Sequence, residues 1–290
     1  MNKEKFLFNF EKKAKNTIDK YKLINKNDRV LVAASGGKDS MAVLYLLNKF
    51  GYNLEALYID LHLGKYSEEC YDKIKEFCDK NKIKLHVYKI KTHFGMRMCN
   101  IRQGVQQEKR VSNCLVCGII KKWILNREAR RLKADKIATG HNLDDESQTV
   151  IVNFLQGNLY LGANSGPKTG SVRDKKFVPR IKPLFFVAEE DVRKYLRLMK
   201  LPVNPDKCPC GISSLRIKTR SFLNKYSEKE KLMIVNNFLK MLPMIKGKFN
   251  KVRISYCISC GEPARKELCK KCEILNLNKK GGNKNGEKRS

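Results

Sequence analysis

Six consecutive residues, Ser35-Gly36-Gly37-Lys38-Asp39-Ser40, concentrate groups that handle phosphate. Two adjacent glycines let the backbone turn sharply and approach a ligand closely. Lys38 supplies a point charge, Ser35 and Ser40 supply hydroxyl donors, and Asp39 is a carboxylate suited to magnesium. The β-branched run from Arg29 to Ala34 precedes them, and helical apolar spacing at Met41, Val43, Leu44, Leu46 and Leu47 follows. Strand, tight turn and helix are therefore expected, with free N–H groups of the helix N-terminus turned to an anion. The spacing is not that of a Walker loop, to which an acid directly after the lysine is foreign. A merely polar surface turn is the plainer reading. Against it stands the convergence of these groups at the carboxyl end of a strand, where open α/β sheets bind ligands.

A second group is Gly140-His141-Asn142-Leu143-Asp144-Asp145-Glu146, after an expected strand over 136–139. Three acids at a helix start favour the helix dipole by themselves. Facing a phosphate loop across one sheet edge, they become candidates for magnesium ligation or proton transfer. The third group is Cys114-Leu115-Val116-Cys117-Gly118, with Lys121 one turn on. At i and i+3 both thiols share a helix face. One of Cys208 and Cys210, around Pro209, would complete three thiolates with an open position, the arrangement that leaves one iron of a cluster free. A structural zinc on all four thiols and a redox-active Cys-x-x-Cys pair are the competing readings. The fourth group is Cys257-x-x-Cys260 with Cys269-x-x-Cys272, two knuckles that supply four soft ligands for tetrahedral zinc. Its plain role is folding support; Arg253, Arg265, Lys266, Lys270 and Lys271 give it an RNA-facing alternative. Cys70, Cys78, Cys99 and the remaining one of Cys208 and Cys210 are read as ordinary residues.

The elements that must position these groups alternate. A helix carrying Phe6, Phe8, Phe10, Ala14, Ile18 and Tyr21 leads into the first strand. Strands follow at 54–60, 83–90 and 136–139, and helices near 67–80, 114–132, from Asp144 (with Val150, Ile151, Phe154 and Leu155), and 188–199. Residues 91–113 show no clean period, and 157–180 read as a long loop. Such β–α alternation predicts an α/β fold, a Rossmann-like parallel sheet with helices on both faces. Five regions are expected: an N-terminal helix over 1–26, a catalytic domain over 27–225, a basic helical segment over 226–252, a zinc ribbon over 253–275 and a disordered basic tail over 276–290.

Composition sets the partners. The chain of 290 residues carries 61 Lys+Arg against 29 Asp+Glu, a net charge of +32. An excess spread along the whole chain points to a polyanion, nucleic acid first, against the background of a basic proteome. No apolar run approaches the roughly 18 to 20 residues that span a bilayer, and no secretory leader is read, so a cytoplasmic protein without membrane contact is expected. An odd 11 cysteines, many in short pairs, favour metal over disulfides.

Taken together, the Ser-Gly-Gly-Lys-Asp-Ser loop, Cys-x-x-Cys-Gly with Lys121, and Gly-His-Asn-Leu-Asp-Asp resemble the PP-loop ATP pyrophosphatases that thiolate tRNA, over about residues 5 to 275. Within them, Tyr58-Ile59-Asp60-Leu61, Tyr66-Ser67-Glu68 and the terminal Cys-x-x-Cys-Gly-Glu-Pro look most like the 2-thiouridine synthetases of the T-loop uridine; relatives act on the wobble uridine or an anticodon-loop cytidine. The resemblance implies ATP with Mg2+, a 4Fe-4S cluster and structural Zn2+. It places the nucleotide on residues 35–40 with Asp60, Gly140, His141 and Asp144, and the cluster on Cys114, Cys117 and, because that family cysteine precedes a proline, Cys208. Lys121 and Asp145 fall on the family's catalytic lysine and acid. The implied reaction adenylates a uridine C2 carbonyl and replaces its oxygen with sulfur. Expected partners are tRNA, a sulfur donor (free sulfide or a thiocarboxylated ubiquitin-like carrier protein), and a second copy of the chain as a homodimer. Two rivals stand beside this: a PP-loop ligase that amidates or adds lysine, and a non-catalytic basic RNA-binding protein. The resembling group carries an N-terminal zinc finger, whereas no cysteine stands here before Cys70; this bears on RNA docking and on the choice of nucleoside. His62 and Cys210 have no implied role.

Overall fold

Asn2 accepts the N–H of Glu4 and opens helix α1 (Lys3–Lys20), which buries Phe6, Phe10, Ala14 and Ile18 at four-residue spacing. Phe8, read above with that stripe, is 63 % exposed, because two residues carry it to the opposite side of the helix. The computed structural model describes residues 2–169, 174, 176–205, 208–210, 214–249 and 254–276, so the expected tail, apart from Asn276, and Arg253 lie outside it.

The chain continues through β1 (Val30–Ala34), α2 (Lys38–Lys49), β2 (Leu54–Asp60), α3 (Lys65–Lys80), β3 (Leu85–Lys89), α4 (Ile90–Phe94), α5 (Met98–Glu108), α6 (Asn113–Arg131), β4 (Lys136–Ala138) and α7 (Leu143–Leu155). Then come α8 (Leu159–Gly162), β5 (Lys168–Thr169), β6 (Arg180–Ile181), α9 (Glu189–Met199), α10 (Ser214–Leu223), α11 (Glu228–Phe249), β7 (Ser255–Tyr256) and β8 (Pro263–Ala264). The sheet runs β3-β2-β1-β4-β6-β5, parallel except for β5. From β1 the chain builds outward through β2 and β3, then returns to the other side of β1 for β4 and β6. The strand order therefore reverses between β1 and β4, and a crevice opens at their carboxyl ends.

Side-chain alternation along β1 feeds two cores. Val30 and Val32 pack with α1, α2 and α9, while Leu31 packs on the other face with α5 and α6. This is the two-faced α/β architecture that the alternation predicts.

Two stretches differ from the sequence reading. Residues 91–113 contain α4 and α5; the buried positions Met98, Ile101, Arg102 and Val105 follow a helical spacing that one arginine disguises. The presumed loop over 157–180 contains α8 and β5. On α7, Phe154 and Leu155 are exposed rather than packed. The other side of α7 receives α11, through Leu143, Phe185 and Val235. Among the described residues, no helix is long and apolar enough to cross a membrane.

Candidate active site

The crevice between β1 and β4 holds two loops in backbone contact. Gly36 turns at φ +77°, and a Cβ there would lie 2.7 Å from the Cα of Cys70, so only glycine fits. Gly140 has no room for a side chain either: a Cβ would stand 2.6 Å from the carbonyl carbon of Asp39. The Ser40 hydroxyl donates to the Gly37 carbonyl at 2.9 Å and accepts the Ser35 N–H at 3.1 Å, which holds the turn in shape. Lys38 Nζ sits between Asp39 Oδ2 (2.7 Å) and Glu189 Oε1 (2.9 Å). Burial works against its charge, but those two carboxylates outweigh it and raise the Lys38 pKa. Glu189 is also desolvated; Lys38, Arg220 and Arg193 more than compensate and hold its pKa down at about 2.

The three acids of the second loop separate into different tasks. Asp144 accepts the Glu189 backbone N–H at 2.7 Å and Lys231 Nζ at 2.6 Å, tying α7 to α9 and α11. Glu146 is 3 % exposed and bound to Lys182 at 2.6 Å. Asp145 forms a reciprocal cap with Asn142, whose amide also donates to Asp39 Oδ1 at 2.9 Å. Burial first, then the Asp39 charge, push the Asp145 pKa up to about 6, against the Asn142 N–H. A divalent cation beside Asp39 and Asp145 would relieve that repulsion, so this pair fits magnesium. His141 is exposed; desolvation of its ring first, then the charges of Lys182, Lys122, Arg216 and Arg180, lower its pKa. Its ring is neutral near neutral pH, with Nδ1 3.0 Å from Thr139 Oγ1. Asp60, at the end of β2, accepts the His62 N–H at 2.8 Å; its other oxygen lies 2.9 Å from His62 Nδ1 without the alignment of a hydrogen bond. Lys182→Met should leave Glu146 as a buried, unpaired charge and destabilise the fold by about 3 to 5 kcal/mol. Chemical denaturation measures this, and an unchanged midpoint would show that Glu146 finds another partner.

The thiols approach from two sides. Ser112 caps α6, the helix that carries Cys114, Cys117 and Lys121; Cys114 is exposed and Cys117 half-buried. Burial raises the Cys117 thiol pKa; Lys121 and Arg102 oppose this, while Cys208 and Cys114 add to it. The segment before Cys208 is anchored on the phosphate loop, Asn204 N–H donating to the Gly36 carbonyl at 3.0 Å. Cys208, Lys121 and Ser35 line one cavity of about 110 Å³, walled by Leu57, Ile59 and Tyr66 among others. Cys210 does not line this cavity: the buried Arg102 guanidinium donates to it at 2.8 Å and to Cys99 at 2.9 Å. Among the described residues, only the terminal cysteines gather three or more ligand atoms within 4.8 Å. Cys114, Cys117 and Cys208 are not all within 4.8 Å of one another.

A model of the PP-loop domain matches residues 7–225. The tRNA-5-methyluridine(54) 2-sulfurtransferase of Pyrococcus horikoshii is 34% identical over 279 residues, covering 95% of this chain and 87% of the relative. The chain belongs to the tRNA thiolase family of PP-loop proteins. Cytoplasmic tRNA 2-thiolation protein 1 of Drosophila ananassae is 32% identical over 282 residues, 94% of this chain and 80% of the relative. Among solved structures, the U34-tRNA thiolase NcsA from Methanococcus maripaludis, with its 4Fe-4S cluster, is 28% identical at a TM-score of 0.77, covering 93% of this chain and 87% of that one.

Beyond its PP-loop core, this thiolase-family chain closes with a small cysteine unit. β7 and β8 form an antiparallel pair, and the Sγ atoms of Cys257, Cys260, Cys269 and Cys272 all lie within 4.8 Å of one another. Four convergent soft donors in a unit with almost no other core fit zinc. Arg130 of α6 clamps Glu262 with both terminal guanidinium nitrogens, and Lys176 Nζ donates to the Gly261 carbonyl at 2.7 Å. Sequence reasoning missed Glu189 as the partner of Lys38 and Arg102 as the holder of two thiols. For Glu189 the acidic first turn of α9 was visible, but its meeting with Lys38 depends on tertiary packing. For Arg102 only the helical period of 98, 101, 102 and 105 could have signalled burial.

Proposed function

We propose that this chain 2-thiolates a tRNA uridine at the expense of ATP. The observation that carries the reading is the shared cavity, onto which the phosphate loop at Ser35, the ammonium of Lys121 and the thiol of Cys208 all open. The uridine C2 carbonyl oxygen attacks the α-phosphorus of ATP, and pyrophosphate leaves. Residues 35–40 with Lys38 hold the phosphates, and Asp39 and Asp145 would hold Mg2+, which neutralises phosphate charge. Asp60, Gly140, His141 and Asp144 frame the nucleotide. Lys121 stabilises charge developing at the carbonyl, and Asp145 serves either as the second Mg2+ ligand or as the acceptor of the uridine N3 proton. A sulfide sulfur then bonds to C2 as the C2–O bond breaks and AMP departs. A 4Fe-4S cluster on Cys114, Cys117 and Cys208 would supply an open iron that positions the incoming sulfur without net redox change. Cys257, Cys260, Cys269 and Cys272 would hold structural Zn2+. The sulfur comes from free sulfide or from a thiocarboxylated carrier protein.

The T-loop uridine is the proposed target, supported by motifs shared with that group and by the curated relative from Pyrococcus horikoshii. The wobble uridine is the second reading, favoured by the NcsA likeness. Anaerobically purified protein given tRNA, ATP and sulfide should form 2-thiouridine with AMP and pyrophosphate, and nucleoside mass spectrometry with position mapping should place it at position 54. A product at position 34 would support the second reading. Lys121→Ala should lower the rate by on the order of 10² to 10³-fold. A colourless, iron-free preparation with full activity would overturn the cluster assignment.

A further inference from the structure

On the far side of α6 from Lys121, a second and larger cavity of about 640 Å³ opens between β3, α4 and the C-terminal cysteine unit. Its volume lies in the range of ligand pockets, about 300 to 1,000 Å³. Trp123 is the only tryptophan in the chain, and its indole Nε1 is buried without a hydrogen-bond partner among the described residues. Phe94 meets it edge-on at 6.0 Å, and Tyr88 stacks with His93 at 3.9 Å. His93 Nδ1 donates to the Lys89 carbonyl at 2.9 Å, which leaves Nε2 as an acceptor.

Cations ring this aromatic wall. Lys271 Nζ lies 4.2 Å from the Trp123 ring centroid and Arg127 lies 5.1 Å from it. Arg131 adds a third cation and is bound to Glu128, the one acid lining the cavity. Lys271 also reaches the Cys272 sulfur at 3.7 Å, and Arg127 makes no salt bridge among the described residues. The lining therefore carries net positive charge beside aromatic rings. That combination fits a ligand with a flat base and a phosphate.

We propose that this cavity binds an unpaired nucleotide of the RNA substrate, its base against the aromatic wall and its phosphates on Arg127, Arg131 and Lys271. This rests on the reading of the chain as a tRNA-modifying enzyme. Geometry gives the site a purpose. Arg127 is six residues from Lys121 on one rigid helix, a rise of about 9 Å, so a nucleotide held here fixes where the neighbouring RNA meets the reacting cavity. Unpaired, unstacked nucleotides are the part of a folded RNA that aromatic side chains can grip.

Because Trp123 is alone, its emission reports on this cavity directly. An unmodified tRNA transcript, a single-stranded oligonucleotide and uridine monophosphate would be titrated while Trp123 fluorescence is followed, with filter binding measured in parallel. The tRNA should change the emission saturably, with the midpoint seen on filters, and the oligonucleotide should compete. Arg127→Ser with Arg131→Ser should weaken tRNA binding about 10-fold and reduce the slope of log affinity against log salt by about 1 to 2. Removing the same charge at exposed Lys12 and Lys80 should leave the affinity in place. If tRNA binds on filters while Trp123 emission stays constant, or if the double variant matches wild type, the site is refuted and the thiolase reading stands. Saturation by uridine monophosphate without competition from tRNA would assign the cavity to a free nucleotide and also refute it. No tRNA binding in either assay would overturn the thiolase reading together with this site.

Discussion

Cys208→Ser should leave the protein unable to retain an iron–sulfur chromophore or to thiolate tRNA, whereas Cys210→Ser should keep both. The contrast follows from where the two sulfurs lie, although only Pro209 separates them. Cys208 shares a cavity with Lys121 and Ser35 and sits close enough to Cys117 to disfavour its thiolate. Cys210 does not line that cavity and accepts a hydrogen bond from Arg102, which also holds Cys99. Serine at 210 still offers an acceptor to Arg102, while serine at 208 replaces a soft thiolate with a poor iron ligand. Anaerobic reconstitution followed by visible absorption, iron quantification and nucleoside mass spectrometry distinguishes the two. A cluster retained by Cys208→Ser and lost by Cys210→Ser would reverse the assignment.

Gly140→Ala should reduce ATP-dependent activity by on the order of 10²-fold or more without unfolding the sheet. The added methyl would overlap backbone atoms of Asp39 and Ser40, at 2.6 and 2.7 Å, and backbone cannot rotate aside as a flexible side chain does. The two loops must then separate, and Asn142 would lose its 2.9 Å contact with Asp39. A shift of about 1 Å between groups that must act together costs on the order of 10²-fold. Pyrophosphate release, alongside a thermal melt to confirm folding, measures this effect. Wild-type turnover would show that the two loops act independently.

Much of this site could be read from local pattern. Ser35 to Ser40 announced a turn between strand and helix because glycine tolerance, apolar periodicity and charge are properties of adjacent residues. The four terminal cysteines were legible for the same reason: ligand spacing of two residues is set by a single turn of chain. Acids standing side by side were harder. Asp144, Asp145 and Glu146 look equivalent in sequence, but Lys231 and the Glu189 N–H engage the first, and Lys182 engages the third. Asp145 stands opposite Asp39, and distant segments decided which acid that would be.

The sequence by itself determined the alternation of strands and helices, the phosphate loop, and the chemistry available to the cysteines, because each rests on residues within a few turns of one another. Tertiary structure alone decided that Cys208 rather than Cys210 opens onto the cavity of Lys121, that Glu189 binds Lys38, and that Arg102 is buried against two thiols. It also set the lone tryptophan among cations at a cavity behind α6. These pairings join segments as much as 151 residues apart, Lys38 to Glu189, and the order of strands around β1 brings such segments together.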